Sequence, residues 1–271
     1  MKDWRALWDY SDPDGSEGRF RAAANRSSGD LTVILETQIA RCCGLRGEFE
    51  LGREWLTDLR DSLAMVGPEA QGYYWLEWGR MFCSATHDRA SLTPVAQREA
   101  RAAFTRAFQI ARDAGFDGLA TDALHMMALT TNDPARQLEF NLATLAFIES
   151  SSDPVARAWE PALRNNIGCA LHAAGRLEEA LEQFGMALNR LLGGEIGAIR
   201  VAHWMVAWTL RGLQRHREAL AIQLRLEREW DTDGRPDPYV YDELAALHAA
   251  LGEVSAADEY RTKSQRLRSS D

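Results

Sequence analysis

The sequence predicts an all-α protein built from repeated pairs of antiparallel helices, and three observations predict it. Residues 165–184 read as two short amphipathic helices joined by a turn at Gly175-Arg176. Small residues (Gly168, Ala180) stand where the two helices must approach, and large ones (Leu171, Phe184) lie one turn further on. Pairs of small residues with the spacing of Gly168 and Ala180 recur at Ala40/Gly52, Ala207/Ala219 and Ala245/Ala257. No alternating run of valine or isoleucine suggests a strand.

Taken in order, the chain opens with two short helical patterns, around Trp4–Trp8 and over 16–25, expected to cover the apolar end of the first repeat. The first repeat runs through Ala40 and Gly52. A second holds Gly79 and Phe82 on one helix and Ala100, Phe104 and Ala107 on the next, across a long connection at 86–93. A third, over 119–151, puts His125 and Gln137 at the positions expected to be small. Three further repeats follow, anchored on Gly168, Ala207 and Ala245. Gly47, Gly175 and Gly252 fall between paired helices, where a left-handed backbone ends a helix without steric cost. Asp12-Pro13, Thr93-Pro94, Asp133-Pro134 and Asp153-Pro154 each place a capping oxygen before a proline suited to the first helical position. Pro161 either kinks a long helix over 154–174 or begins the repeat helix after a short turn. The last helix, over 254–267, ends among Arg261, Lys263, Arg266 and Arg268, where cations suit the negative end of the helix dipole.

The 165–184 stretch resembles the tetratricopeptide repeat (TPR), whose pattern pairs Leu-Gly and an aromatic on the first helix with Ala and Phe on the second. The resemblance implies a right-handed superhelical solenoid of about six helix pairs, with residues 1–28 as an N-terminal helical cap and 29–271 as one continuous repeat domain. The small-residue anchors at 40, 79, 125, 168, 207 and 245 are more widely spaced than the family's period of about 34. Helices or turns must therefore be extended.

The charge balance, 31 basic against 40 acidic residues, gives a net −9. Such a field repels phosphate backbones and anionic lipid, so neither nucleic acid nor a membrane surface is an expected general partner. The start, Met1 to Arg5, carries charges where a signal peptide needs an apolar run, and no window approaches the roughly 18 apolar residues of a membrane span. Cys42, Cys43, Cys83 and Cys169 show no CxxC spacing and read as small, buried or half-buried thiols in a reducing cytoplasm. His125, His172, His203 and His248 fall on predicted first helices, but no two have metal-ligand spacing. There is no GxSxG, P-loop or GxGxxG. The expectation is a cytoplasmic protein without catalytic residues, metal or cofactor.

Nine tryptophans include the helical pairs Trp4/Trp8, Trp75/Trp78 and Trp204/Trp208; each pair either packs the core or anchors a bound peptide. The resemblance implies that first helices line a concave face, with side chains three before and one after each small position turned to it. Those are Thr37 and Arg41, Leu76 and Arg80, Asp122 and Met126, Asn165 and Cys169, Trp204 and Trp208, and Asp242 and Ala246, with His172 and Arg211 a turn further on. The contacts expected for a ligand are Arg41, Arg80, Asn165, His172, Trp204, Trp208 and Arg211, in a groove cationic toward its N-terminal half and aromatic toward its C-terminal half. Asn165 and Asn166 resemble the asparagines of the family's carboxylate clamp, but the clamp's lysines are missing. The expected function is non-catalytic: a module that holds a peptide or partner-protein segment in the groove. The alternative is a ligand- or peptide-responsive sensor acting through a partner protein. Self-association stays open, because solenoid ends and apolar convex strips can pair.

Overall fold

The computed structural model describes residues 3–269, so the outermost residues of the expected 1–28 cap and 29–271 repeat domain, and Met1 and Lys2 of the charged start, lie outside it. Among the described residues every regular element is a helix. The chain forms two compact units that divide between Trp159 and Glu160. The 28/29 position falls inside the first unit.

The first unit begins with a 3₁₀ turn, Trp4–Leu7, and α1, Pro13–Ala24. Three helix pairs follow: α2 (Asp30–Leu45) with α3 (Phe49–Asp58), α4 (Pro68–Arg80) with α5 (Pro94–Asp113), and α6 (Asp117–Leu129) with α7 (Pro134–Ser150). A four-residue helix, α8 (Pro154–Arg157), closes the unit and packs on α6. The second unit holds three more pairs: α9 (Glu160–Ala173) with α10 (Leu177–Leu191), α11 (Ile196–Gly212) with α12 (His216–Thr232), and α13 (Pro238–Ala250) with α14 (Val254–Arg268). Pro161 is the second residue of α9, so it opens the repeat helix rather than kinking a longer one.

Each pair closes where its sequence supplies little bulk. Ala40, Ala180, Ala207, Ala219, Ala245 and Ala257 are all buried. A Cβ on Gly168 would lie 2.6 Å from Phe184 Cε1, and one on Gly52 would come 3.3 Å from the Ala40 carbonyl oxygen. Gly79 meets Phe104 as Gly168 meets Phe184, so the α4–α5 pair keeps the contact despite its long connection. That connection carries a 3₁₀ turn at Arg89–Ser91, and the His87 ring stacks on Phe49 at 3.6 Å. The α6–α7 pair departs from expectation. His125 lies against the Trp159 ring at 5.0 Å, and Gln137 donates to the Thr131 carbonyl at 2.8 Å, so neither forms a small helix–helix contact. In α2, α9, α11 and α13 the small residue stands five before the last helical residue. The same place in α6 is Leu124, one residue away from the anchor expected at His125.

The N-terminal segment does cover the first repeat. Phe20 of α1 is fully buried with Leu35, Ile39 and Cys42 of α2, and Trp4, Leu7 and Trp8 pack around them. The capping oxygens act as expected: Asp12 accepts from Gly15 N–H, Thr93 from Ala96, Asp133 from Ala135 and Asp153 from Val155. Within pairs, Gly47, Gly175 and Gly252 take φ of 79°, 74° and 79°. Each following residue returns its N–H to a carbonyl one helical turn back, as from Arg176 to Leu171 at 2.9 Å. Among the described residues no helix is long and apolar enough to cross a membrane.

The α11–α12 turn puts Gln214 where the α2–α3, α9–α10 and α13–α14 turns have glycine, at φ 59°. A side chain in that region is strained by about 1–2 kcal/mol, against the roughly 0.5–1 kcal/mol that glycine loses in backbone entropy on folding. Gln214→Gly is therefore expected to stabilise the fold by about 0.5–1 kcal/mol, read as a higher midpoint in chemical denaturation; a lower midpoint would refute the strain.

Candidate functional site

In the first unit the first helices of the three pairs, α2, α4 and α6, lie side by side. Two adjoining cavities open along them, of about 380 Å³ and 210 Å³. They share Arg41 from α2, Glu77 and Arg80 from α4, Asp122 from α6, and Trp159. Trp4, Trp8, Tyr10 and Tyr73 wall the larger, while His125, Met126 and Leu129 extend the smaller. The stripe follows helical spacing: Gln38 and Arg41 on α2, Tyr73, Glu77 and Arg80 on α4, and Asp122 and His125 on α6.

That spacing corrects the expected register. The groove positions lie two before and one after the small residue, as Gln38 and Arg41 do about Ala40, or Glu77 and Arg80 about Gly79. Thr37 is instead buried, its hydroxyl donating to the Ile34 carbonyl at 2.6 Å. Leu76 belongs to the apolar core, and Asp242 accepts from Ser264 of α14 at 2.6 Å. Glu77, missed in the sequence, is found once the register moves by one residue.

Charge is the second correction. Arg80 is only 7% exposed and donates at 2.5 Å to both Glu77 Oε1 and Asp122 Oδ1. Arg41 lies 3.6 Å from Glu77 Oε1. Arg5 is taken up by Asp3, Glu69 and the Tyr73 hydroxyl. The larger cavity is lined by Arg5, Arg41 and Arg80 against Glu69, Glu77, Asp122 and Asp153, three cations to four anions, so the groove expected to be cationic is not. Burial by itself would raise the Asp122 carboxyl; the Arg80 and Arg41 guanidiniums outweigh it and hold the group below the usual carboxylate range.

The other five expected residues, Asn165, His172, Trp204, Trp208 and Arg211, lie in the second unit. There His172 of α9 stacks on Trp208 of α11 at 3.4 Å, and Trp204 stacks on Trp208 at 5.9 Å. Trp204 also donates to the Tyr239 carbonyl at 3.3 Å and lines an apolar cavity of about 290 Å³ with Val201, Met205, Trp230 and Tyr239. Arg211 makes a two-pronged pair with the buried Glu243 of α13, each arm 2.8 Å. Asn165 does not join them: its amide reaches the Cys169 thiol at 4.0 Å, and it stands two turns, about 10 Å, before His172 on the same helix. These tryptophans and this arginine are thus already paired within the protein.

The described residues contain no group of three His, Cys, Asp or Glu placed to hold a metal ion. Burial pushes the Cys42 thiol up to about 12 and the Cys83 thiol up to about 11, leaving both un-ionised at neutral pH.

Comparison with solved structures returns helical-repeat proteins. Apo RapI matches with a TM-score of 0.76 at 11% identity, over 99% of this chain and 75% of RapI. A signal transduction ATPase with a tetratricopeptide repeat sensor, from Pyrococcus horikoshii, matches at 0.71 and 11% identity over 94% of this chain and 39% of the ATPase. The apo quorum sensor NprR of B. thuringiensis matches at 0.57 and 12% identity, over 96% of this chain and 83% of NprR; NprR has also been solved with its cognate peptide NprX. No protein-family model and no curated sequence matches the chain. At these identities the likeness is one of fold: the chain has a TPR-like helical-repeat architecture.

Two outcomes follow. Removing Arg80 strands two carboxylates, one of them fully enclosed, so Arg80→Ala should cost about 3–5 kcal/mol. Arg41→Ala, which breaks a longer and more open pair, should cost about 1 kcal/mol or less; equal losses in thermal melts would contradict this ranking. The second concerns pH. Burial lowers the imidazoles of His87, His125, His172 and His203, with Arg80 reinforcing it at His125 and Arg211 at His172. The unfolded chain therefore binds more protons as pH falls through about 6.5, and stability falls with it. Asp122, lowered in the fold, adds its own loss only below about pH 4. The melting temperature should drop between about pH 7.5 and 5.5, and His125→Gln plus His172→Gln should flatten that drop; an unchanged slope would exclude these two histidines.

Proposed function

We propose that the chain is a non-catalytic interaction module that holds an extended peptide or partner-protein segment along the first-helix face of its first unit. The observation that carries this reading is the pair of adjoining cavities on α2, α4 and α6, walled by aromatic rings and floored by paired charges. Aromatic walls supply contact area at low entropic cost, and fixed polar groups set orientation. The fold is shared with NprR, a quorum sensor solved with a peptide, which supports the same class of ligand. The Trp204–Trp208–His172 stack of the second unit is a further contact surface, its rings half-buried and held by one another.

A second reading, a ligand-responsive sensor acting through a partner protein, is favoured by one residue. Trp159 lines both cavities and is the last residue of the first unit. A ligand resting on it touches the chain immediately before the second unit begins.

Affinity capture from native lysate tests the module, comparing wild type with Arg41→Ala plus Trp159→Ala. A protein or peptide retained by wild type and lost by about tenfold or more from the folded double variant is the expected result, since residues at the centre of an interface carry most of its energy. Equal retention by both would place the contact elsewhere.

A further inference from the structure

The charged cluster leaves two groups unspent. The Glu77 side chain is 1% exposed, and its Oε1 faces both Arg80 and Arg41 while its Oε2 is buried without a hydrogen-bond partner. Buried carboxylate oxygens are normally satisfied, because losing water without gaining a donor is costly. On the neighbouring helix, Arg41 donates no hydrogen bond among the described residues. Its guanidinium stands 3.6 Å from Glu77 Oε1 and 5.9 Å from the rings of Trp8 and Tyr10. Both side chains line both cavities. One corner of the groove thus combines an acceptor lacking a donor with donors lacking an acceptor.

Charge decides what fits there. Arg41 and Arg80 balance Glu77 and Asp122, so the cluster is neutral as it stands. An ammonium seated at Oε2 would face the Arg41 guanidinium. A carboxylate seated on Arg41 would face the charged Glu77. Either adds a net charge beside the buried Glu77 and Arg80, where Coulomb interactions are stronger than in water. A carboxamide adds none: its NH₂ donates to Glu77 Oε2 and its carbonyl accepts from Arg41. Oε2 is buried, so neighbouring side chains must shift for the group to reach it, and Arg41 is held there by no hydrogen bond. We propose that this corner reads a carboxamide, the side chain of an asparagine or glutamine in the bound peptide. The inference rests on the peptide-binding reading above and names the residue class that the groove selects.

Selection from a phage library of random heptapeptides on immobilised wild-type protein tests it, followed by binding measurements on the synthetic winners. The expected result is enrichment of peptides sharing one asparagine or glutamine. Replacing that residue by glutamate or lysine should weaken binding about tenfold or more, as should Arg41→Met in the protein, since each removes a hydrogen bond to a charged group. Glu77→Gln, which keeps the shape of the side chain, serves as the second variant and should relax the choice of residue at that position. Enriched peptides without a shared amide, or an amide whose affinity ignores Arg41→Met, would overturn the inference and leave peptide binding standing. No enrichment over bare support would overturn both.

Discussion

Five of the six helix pairs among the described residues close over a small residue, glycine or alanine, at their contact, and the stacking of the fold depends on it. At Gly168 the Phe184 ring occupies the space that a Cβ would need, and at Gly79 the Phe104 ring does the same. Both rings are essentially solvent-free; burial of a side chain that size is worth roughly 1.5–3 kcal/mol. The interlock also sets rotation. Once the small residue faces its partner helix, the positions two before and one after it face the neighbouring first helices, and there the groove forms. In α6, where Leu124 replaces the small residue, the pair packs differently, yet Asp122 and His125 still reach the groove.

Inside that groove, electrostatics rather than hydrophobicity sets the character of the site. The protein carries a net −9, but Arg80 is enclosed, and its charge persists because Glu77 and Asp122 both meet it. Desolvation alone would raise the Asp122 carboxyl; pairing with Arg80 and Arg41 outweighs it and favours the ionised form. The result is a floor of paired charges under aromatic walls. The second unit reaches a similar economy with different chemistry. Its Arg211 is committed to Glu243 and its aromatics to one another.

How far the sequence was legible differs between scaffold and site. Four helix pairs could be located from pairs of small residues at one fixed spacing, and the inter-helix glycines and Asp-Pro starts marked the ends, because these features act within one or two helical turns. Gln214 shows the limit of that local logic: its left-handed backbone is imposed by the pair it joins, with no residue preference to announce it. Glu77 shows another. It was passed over by a one-residue error of register, and on a helix one residue is 100° of rotation, enough to exchange a core leucine for a buried acid.

The sequence by itself determined the helical class and the repeat of the pairs, since composition and periodicity act on short segments. Only tertiary structure decided that Arg41 and Arg80 would be neutralised, that Asn165 would stand apart from His172, and that the seven expected residues would divide between two units at Trp159–Glu160. Arg80 meets Asp122 across 42 residues of chain, and Arg211 meets Glu243 across 32. Pairings of that range depend on how one helix pair stacks on the next, and no short window of sequence contains both partners.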